Sequence, residues 1–153
     1  LEFRRVLFRS VASRSEAPTE DPVSVGSRRL ALLVDDMEAV REVVAGQLKS
    51  LGFEVLMAKD AHEAVALASR VNSLDLLVAD VSLPGGKSGI ELAREIQVVR
   101  PQVKVVTMTG YNEAMGALPE PDPRRWIHLR KPIARSTLGN TISTLFSREL
   151  GAG

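Results

Sequence analysis

Five short apolar runs, separated by segments with helical periodicity, leave this chain few ways to fold. The runs are 30–34 (LALLV), 53–57 (FEVLM), 74–79 (LDLLVA), 103–108 (VKVVTM) and 126–129 (WIHL). Each is the length of a strand; the run 30–34 carries the signature of a buried strand, and 126–129 is the weakest of the five. Between them, residues 37–51 place Val40, Val43, Val44, Leu48 and Leu51 on one helical face, and Gly52 stops that helix. Residues 60–71 repeat the pattern with Ala61, Ala64, Val65 and Ala68, with Asp60 as N-cap. Residues 88–99 carry Ile90, Leu92, Ala93 and Ile96 behind Ser88, and residues 137–150 carry Leu138, Ile142 and Leu145. The pattern blurs between Gly110 and Arg125: a helix there extends over 112–118 at most, because PEPDPRR follows. Strands alternating with helices predict a five-stranded, doubly wound parallel sheet of the α/β class, covered on both sides. Gly46, inside the first helix, costs about 1 kcal/mol relative to alanine, and a close neighbour would explain it.

The chain of 153 residues has room for one domain. It has no cysteine, which removes disulfide, thiolate and cysteine–metal chemistry, and its two histidines, His62 and His128, are too few for a histidine-rich metal site. His62 falls on the exposed side of the second helix and is assigned no function; Trp126 is expected to cover core at the last strand. The formal charge of +1 is close to zero and is weak grounds against nucleic acid as a direct partner, and no apolar run approaches the ~20 residues that span a membrane. Residues 1–10, LEFRRVLFRS, resemble a translated sequencing adapter; without them the charge becomes −1. Residues 11–29 are rich in Ser, Pro and charge without a period, and read as a linker. The expected organisation is an artefactual or disordered segment and linker over 1–28, then a compact domain over 29–150.

In an open parallel sheet, ligands bind beyond the carboxyl ends of the strands. Asp35 and Asp36 follow the first strand, Asp80 the third, Thr109 the fourth and Lys131 the fifth. Three carboxylates at one edge need positive charge. An all-oxygen donor set favours Mg²⁺, with Lys131 as a second cation and Thr109 as a hydroxyl donor. Together these groups can hold three phosphoryl oxygens, with Asp80 as the nucleophile. Taken singly, each has a structural reading as well; Asp36, for example, could cap the helix that begins at Met37.

The stretches LLVDD (32–36), LLVADVSLPGG (76–86), VVTMTGY (105–111) and LRKP (129–132) resemble the receiver domain of two-component signalling, over about residues 29–150. The resemblance implies a flavodoxin-like three-layer fold and a role for each matched residue. Asp80 is the phosphoacceptor. Asp35, Asp36 and Asp80 hold Mg²⁺ with the backbone carbonyl of Ser82. Thr109 turns toward the phosphoryl group, Lys131 contacts it, and Pro132 follows through a cis peptide bond. Pro84 and Gly89 shape the loop after Asp80. It implies a phosphohistidine donor on a histidine kinase or phosphotransfer domain, a cytoplasmic location, and self-catalysed phosphoryl transfer and dephosphorylation. Ser82 and Tyr111 match positions that border the path of attacking water. Three features depart from the commonest pattern. The loop PGGKSG is one residue longer, in the manner of receivers attached to sensor histidine kinases. His128 stands where an aromatic swings inward on activation, either as part of the switch or as an exposed strand residue, and Ile133 stands where Phe is common.

The leading expectation is therefore a phosphorylatable switch working through the 109–131 face, as the C-terminal receiver of a hybrid sensor histidine kinase. An uninterrupted upstream frame encoding a kinase core would separate this from a stand-alone single-domain response regulator. A degenerate receiver used only for protein docking is the alternative from another class, and failure to bind millimolar Mg²⁺ would favour it. A nucleotide or flavin domain of similar topology lacks its loop, because GGKSG at 85–89 has too few preceding spacer residues.

Overall fold

The computed structural model describes residues 28–110 and 122–152. Nine elements alternate along them: β1 (Leu30–Val34), α1 (Glu38–Ser50), β2 (Glu54–Ala58), α2 (Ala61–Arg70), β3 (Leu76–Asp80), α3 (Gly89–Val99), β4 (Lys104–Thr109), β5 (Trp126–Arg130) and α4 (Arg135–Ala152). The strands form one sheet in the order β2-β1-β3-β4-β5, every pair parallel. This is the doubly wound sheet expected from the alternation, and the flavodoxin-like fold that the receiver resemblance implies. The possible helix over 112–118, the reading of Tyr111 and the linker up to residue 27 lie outside the described residues.

Strand alternation sorts the side chains into two cores. Leu32, Val34, Leu77, Ala79 and Val105 face α2 and α3, whose Ala61, Ala64, Ala68, Ile90, Ala93 and Ile96 close over them. Ala31, Leu33, Leu76, Val78, Val106 and Met108 face α1 and α4, meeting Val44, Ala45, Leu48, Leu138, Ile142, Leu145 and Phe146. Both faces of the central strands are thus dry, which is why their sequences show no polar alternation. Trp126 is buried in the first of these cores, as expected.

Two helix starts follow local chemistry read from sequence. Asp60 Oδ1 accepts from the Glu63 amide at 2.8 Å, and Ser88 and Glu91 form a reciprocal capping box. The start of α1 differs. Met37 is its N-cap with no side-chain cap bond, and it is Asp35 Oδ1 that takes the Met37 amide, at 2.9 Å, so Asp36 is not the cap. Strand boundaries also move by one or two residues. Leu74 is buried but unpaired, and β3 begins at Leu76. Asp75 is occupied in joining the strand bases: its Oδ2 accepts from the Leu30 amide at 2.9 Å and its own amide donates to the Leu30 carbonyl at 3.0 Å. The last helix starts two residues early, at Arg135, with Leu138 N–H donating to the Ala134 carbonyl. Gly46 meets nothing within 4 Å of a built Cβ, so no close neighbour explains it.

Candidate functional site

Parallel strands end together, and the β1, β3 and β5 ends bring Asp35, Asp80 and Lys131 into contact. Lys131 Nζ lies 2.8 Å from Asp35 Oδ2 and 3.0 Å from Asp80 Oδ2. Asp35 is fully buried and Asp80 nearly so, while Asp36 beside them is exposed. One carboxylate oxygen from each of Asp35, Asp36 and Asp80 lies within 4.8 Å of the others. These are four of the five polar groups the sequence placed at the strand ends, and the fold brings these four together.

Each is held by its backbone. The Asp35 amide donates to the Ala58 carbonyl at 3.1 Å, past the last pair of the β1–β2 ladder. The Asp80 carboxylate accepts from the Ser82 amide at 3.2 Å, and the Val81 amide donates to the Met108 carbonyl, so the turn after β3 is tied to β4. Lys131 is placed by its own amide, which donates to the Thr109 carbonyl at 2.8 Å, and the Lys131–Pro132 bond is cis as expected.

The loop after Asp80 explains two glycine requirements. Gly85 and Gly86 have φ of 91° and 87°, a region side chains resist. Gly89 is demanded by proximity: a Cβ there would sit 2.1 Å from the Asp80 carbonyl oxygen. Pro84 is exposed ahead of the glycine pair, and Lys87 reaches forward to pair with Glu95.

The electrostatics are those of a crowded anionic pocket. Burial pushes the Asp80 carboxyl above the usual aspartate range; hydrogen bonding and attraction from Lys131 oppose this, and Asp35 adds to it. Burial disfavours the Lys131 charge, yet its bonds to Asp35 and Asp80 outweigh burial and hold its ammonium above the ordinary lysine value. Asp35 Oδ2 is buried and makes no aligned hydrogen bond, its close neighbour being the Lys131 ammonium. A cluster of three carboxylates offering only oxygen ligands fits a hard divalent cation.

Thr109 and His128 occupy the neighbouring strands. Thr109 is buried, with Oγ1 3.4 Å from the Leu129 carbonyl it donates to. His128 is half-buried, which sets aside an exposed strand position. Its Nδ1 is hydrogen-bonded with Thr107 Oγ1, directly across the β4–β5 pair, and its ring meets Trp126 edge-on at 6.0 Å. The Trp126 indole N–H also donates to Thr107 Oγ1, at 3.0 Å. Sequence reasoning missed Thr107; the signal available was a lone hydroxyl in an apolar run. It also missed Arg41, whose Nη1 donates to the Asp35 carbonyl at 2.6 Å. No sequence pattern announces a side chain that reaches back six residues.

Comparison with known proteins agrees with this geometry. The profile of the response regulator receiver domain matches residues 31–143. The chain belongs to the response regulator receiver domain family. It is 27% identical over 150 residues to the sensor kinase CckA of Brucella abortus, covering 97% of this chain and 16% of that protein. It is 31% identical over 118 residues to the response regulator protein PilR of Pseudomonas aeruginosa, covering 77% and 26%. The chain thus spans about a sixth of the one relative and about a quarter of the other. Among solved structures, the receiver domain of hybrid histidine kinase CckA aligns with a TM-score of 0.61 and 30% identity, over 76% of this chain and 98% of that one. A receiver domain protein from Clostridium thermocellum aligns with a TM-score of 0.66 and 26% identity, over 80% and 98%. The family's function is phosphorelay signalling, and the Asp35, Asp36 and Asp80 cluster is consistent with its phosphoacceptor and metal site.

Proposed function

We propose that this chain accepts a phosphoryl group on Asp80 from a phosphohistidine of a histidine kinase or phosphotransfer domain, with Mg²⁺. The observation that carries the reading is the Lys131 ammonium in contact with both Asp35 and Asp80 inside an oxygen cluster. Asp35, Asp36, Asp80 and the Ser82 carbonyl would hold the cation, which when bound neutralises charge developing on the phosphoryl oxygens. An Asp80 carboxylate oxygen forms the new bond to phosphorus as the bond to the donor's imidazole nitrogen breaks, and that nitrogen leaves with the electron pair. Lys131 meets the incoming phosphoryl oxygens, and Thr109 donates its hydroxyl to one of them after turning from the Leu129 carbonyl. Pro84 and Gly89 hold the loop that carries Ser82, and Pro132 sets the course of the chain after Lys131. His128, Tyr111 and Thr109 belong to the face that responds, a two-state element biased by the phosphoryl group.

The domain is read as residues 29–150 of a hybrid sensor histidine kinase, working in the cytoplasm. The longer PGG loop supports this, as do the similarities to sensor kinase CckA and to the receiver domain of hybrid histidine kinase CckA. The similarity to PilR favours a separate response regulator as the second reading. In either case the chain binds no nucleic acid itself. Among the described residues no helix is long and apolar enough to cross a membrane.

The test is incubation of the full chain with acetyl phosphate, with and without Mg²⁺, beside Asp80→Asn, read by intact mass. The expected result is a Mg²⁺-dependent gain of one phosphoryl group, absent in the variant. Equal labelling of Asp80→Asn contradicts the assignment. No labelling, together with no Mg²⁺ binding, leaves the docking module.

A further inference from the structure

Arg41 is a half-buried cation on α1, one turn into the helix that follows the acidic pair. Its amide makes an ordinary helical bond to the Met37 carbonyl, at 3.0 Å. Its side chain turns back over the helix start, and Nη1 donates to the main-chain carbonyl of Asp35 at 2.6 Å. The donor is charged, which strengthens the bond relative to a neutral pair. Among the described residues no carboxylate forms an ion pair with this guanidinium, so the Asp35 carbonyl is its anchor.

The Asp35 carbonyl lies on the peptide that joins Asp35 to Asp36. The rest of Asp35 is already held: its amide by Ala58, and Oδ1 by the Met37 amide. Asp36 is exposed and does not cap α1, and the plane of that peptide sets the backbone from which its side chain leaves. A guanidinium bonded to the carbonyl restrains that plane.

We propose that Arg41 is a positioning residue for the divalent cation: by clamping the Asp35–Asp36 peptide it aims the Asp36 carboxylate at the oxygen cluster. The inference rests on the metal-site reading above. It carries a sign that separates it from its rivals. Arg41 is a positive charge beside a cation site. If it acted by charge alone, removing it would tighten Mg²⁺ binding. If it only packed α1, removing it would lower metal-free stability and leave affinity unchanged. Positioning predicts weaker binding, in the ~10–100-fold range seen when groups that orient metal ligands are lost.

The experiment is calorimetric Mg²⁺ titration of the full chain as wild type, Arg41→Met, Arg41→Lys and Asp80→Asn, with melting of each in EDTA. Methionine keeps the apolar stem and removes every donor; lysine keeps a charged donor. The expected result is wild-type binding, about tenfold weaker binding or worse in Arg41→Met, recovery in Arg41→Lys, and little change in metal-free melting for either. Affinity in Arg41→Met equal to or tighter than wild type overturns the inference while the metal site stands. Absence of wild-type binding overturns the metal site itself, and the inference with it.

Discussion

Asp80 is pulled in two directions, and the sign of the outcome can be tested. Burial, with Asp35 beside it, raises the affinity of the carboxyl for a proton more than Lys131 and the Ser82 amide lower it. The folded state therefore favours the neutral group. Its stabilising contribution is complete below the ordinary aspartate value of 3.8 and is lost as pH rises through the raised folded value. At neutral pH and without metal, the ionised carboxylate is a cost. Asp80→Asn, which keeps an acceptor for Lys131, is expected to be more stable than wild type in EDTA at pH 7. The gap should close as pH falls toward 4, and denaturant melts at the two pH values check it. Lys131 has the opposite role: its folded value is also raised, but for a base that means stability fully present at neutral pH and lost only as pH rises through the folded value. Replacing it leaves Asp35 and Asp80 facing each other uncompensated. Lys131→Met is expected to lose about 2–4 kcal/mol of metal-free stability while retaining Mg²⁺ binding, measured by urea midpoint and titration. These residues were legible because parallel strands gather their carboxyl ends. Arg41 and Thr107 were not, because each acts through a single bond to a neighbour that only the fold supplies.

Among the elements, two glycines with opposite surroundings give opposite predictions. Gly89 opens α3 against the Asp80 backbone, where a Cβ would stand 2.1 Å from the carbonyl oxygen. Neither partner is a flexible side chain, so Gly89→Ala is expected to cost about 2–3 kcal/mol, seen as a lower urea midpoint. Gly46 lies in α1 with open space around it. Gly46→Ala is expected to gain about 1 kcal/mol and leave acetyl phosphate labelling unchanged. The same contrast explains which boundaries sequence could place. The starts of α2 and α3 rest on a cap three residues from its partner, which is local chemistry. The start of α1 depends on which of two adjacent carboxylates turns back, and Asp35 does so because β1 has already fixed its backbone. The start of β3 is misplaced by a hydrophobic run because Leu74 fills the core without pairing, a distinction periodicity does not carry.

At the scale of the molecule, a cation that binds only the folded site must stabilise the fold. At a free Mg²⁺ concentration of ~100 times its dissociation constant the gain is about 2.7 kcal/mol. Wild type should therefore melt higher in Mg²⁺ than in EDTA, while Asp80→Asn should show little difference; equal shifts in both would place the cation elsewhere. On the proposed function, one carboxylate alone, Asp80, receives the phosphoryl group. The most direct measurement is to phosphorylate the full chain with acetyl phosphate and Mg²⁺, reduce the acyl phosphate with borohydride, and map the resulting homoserine by peptide sequencing. Homoserine is expected at position 80 alone. Homoserine at 35 or 36, or at 80 without Mg²⁺, would contradict it.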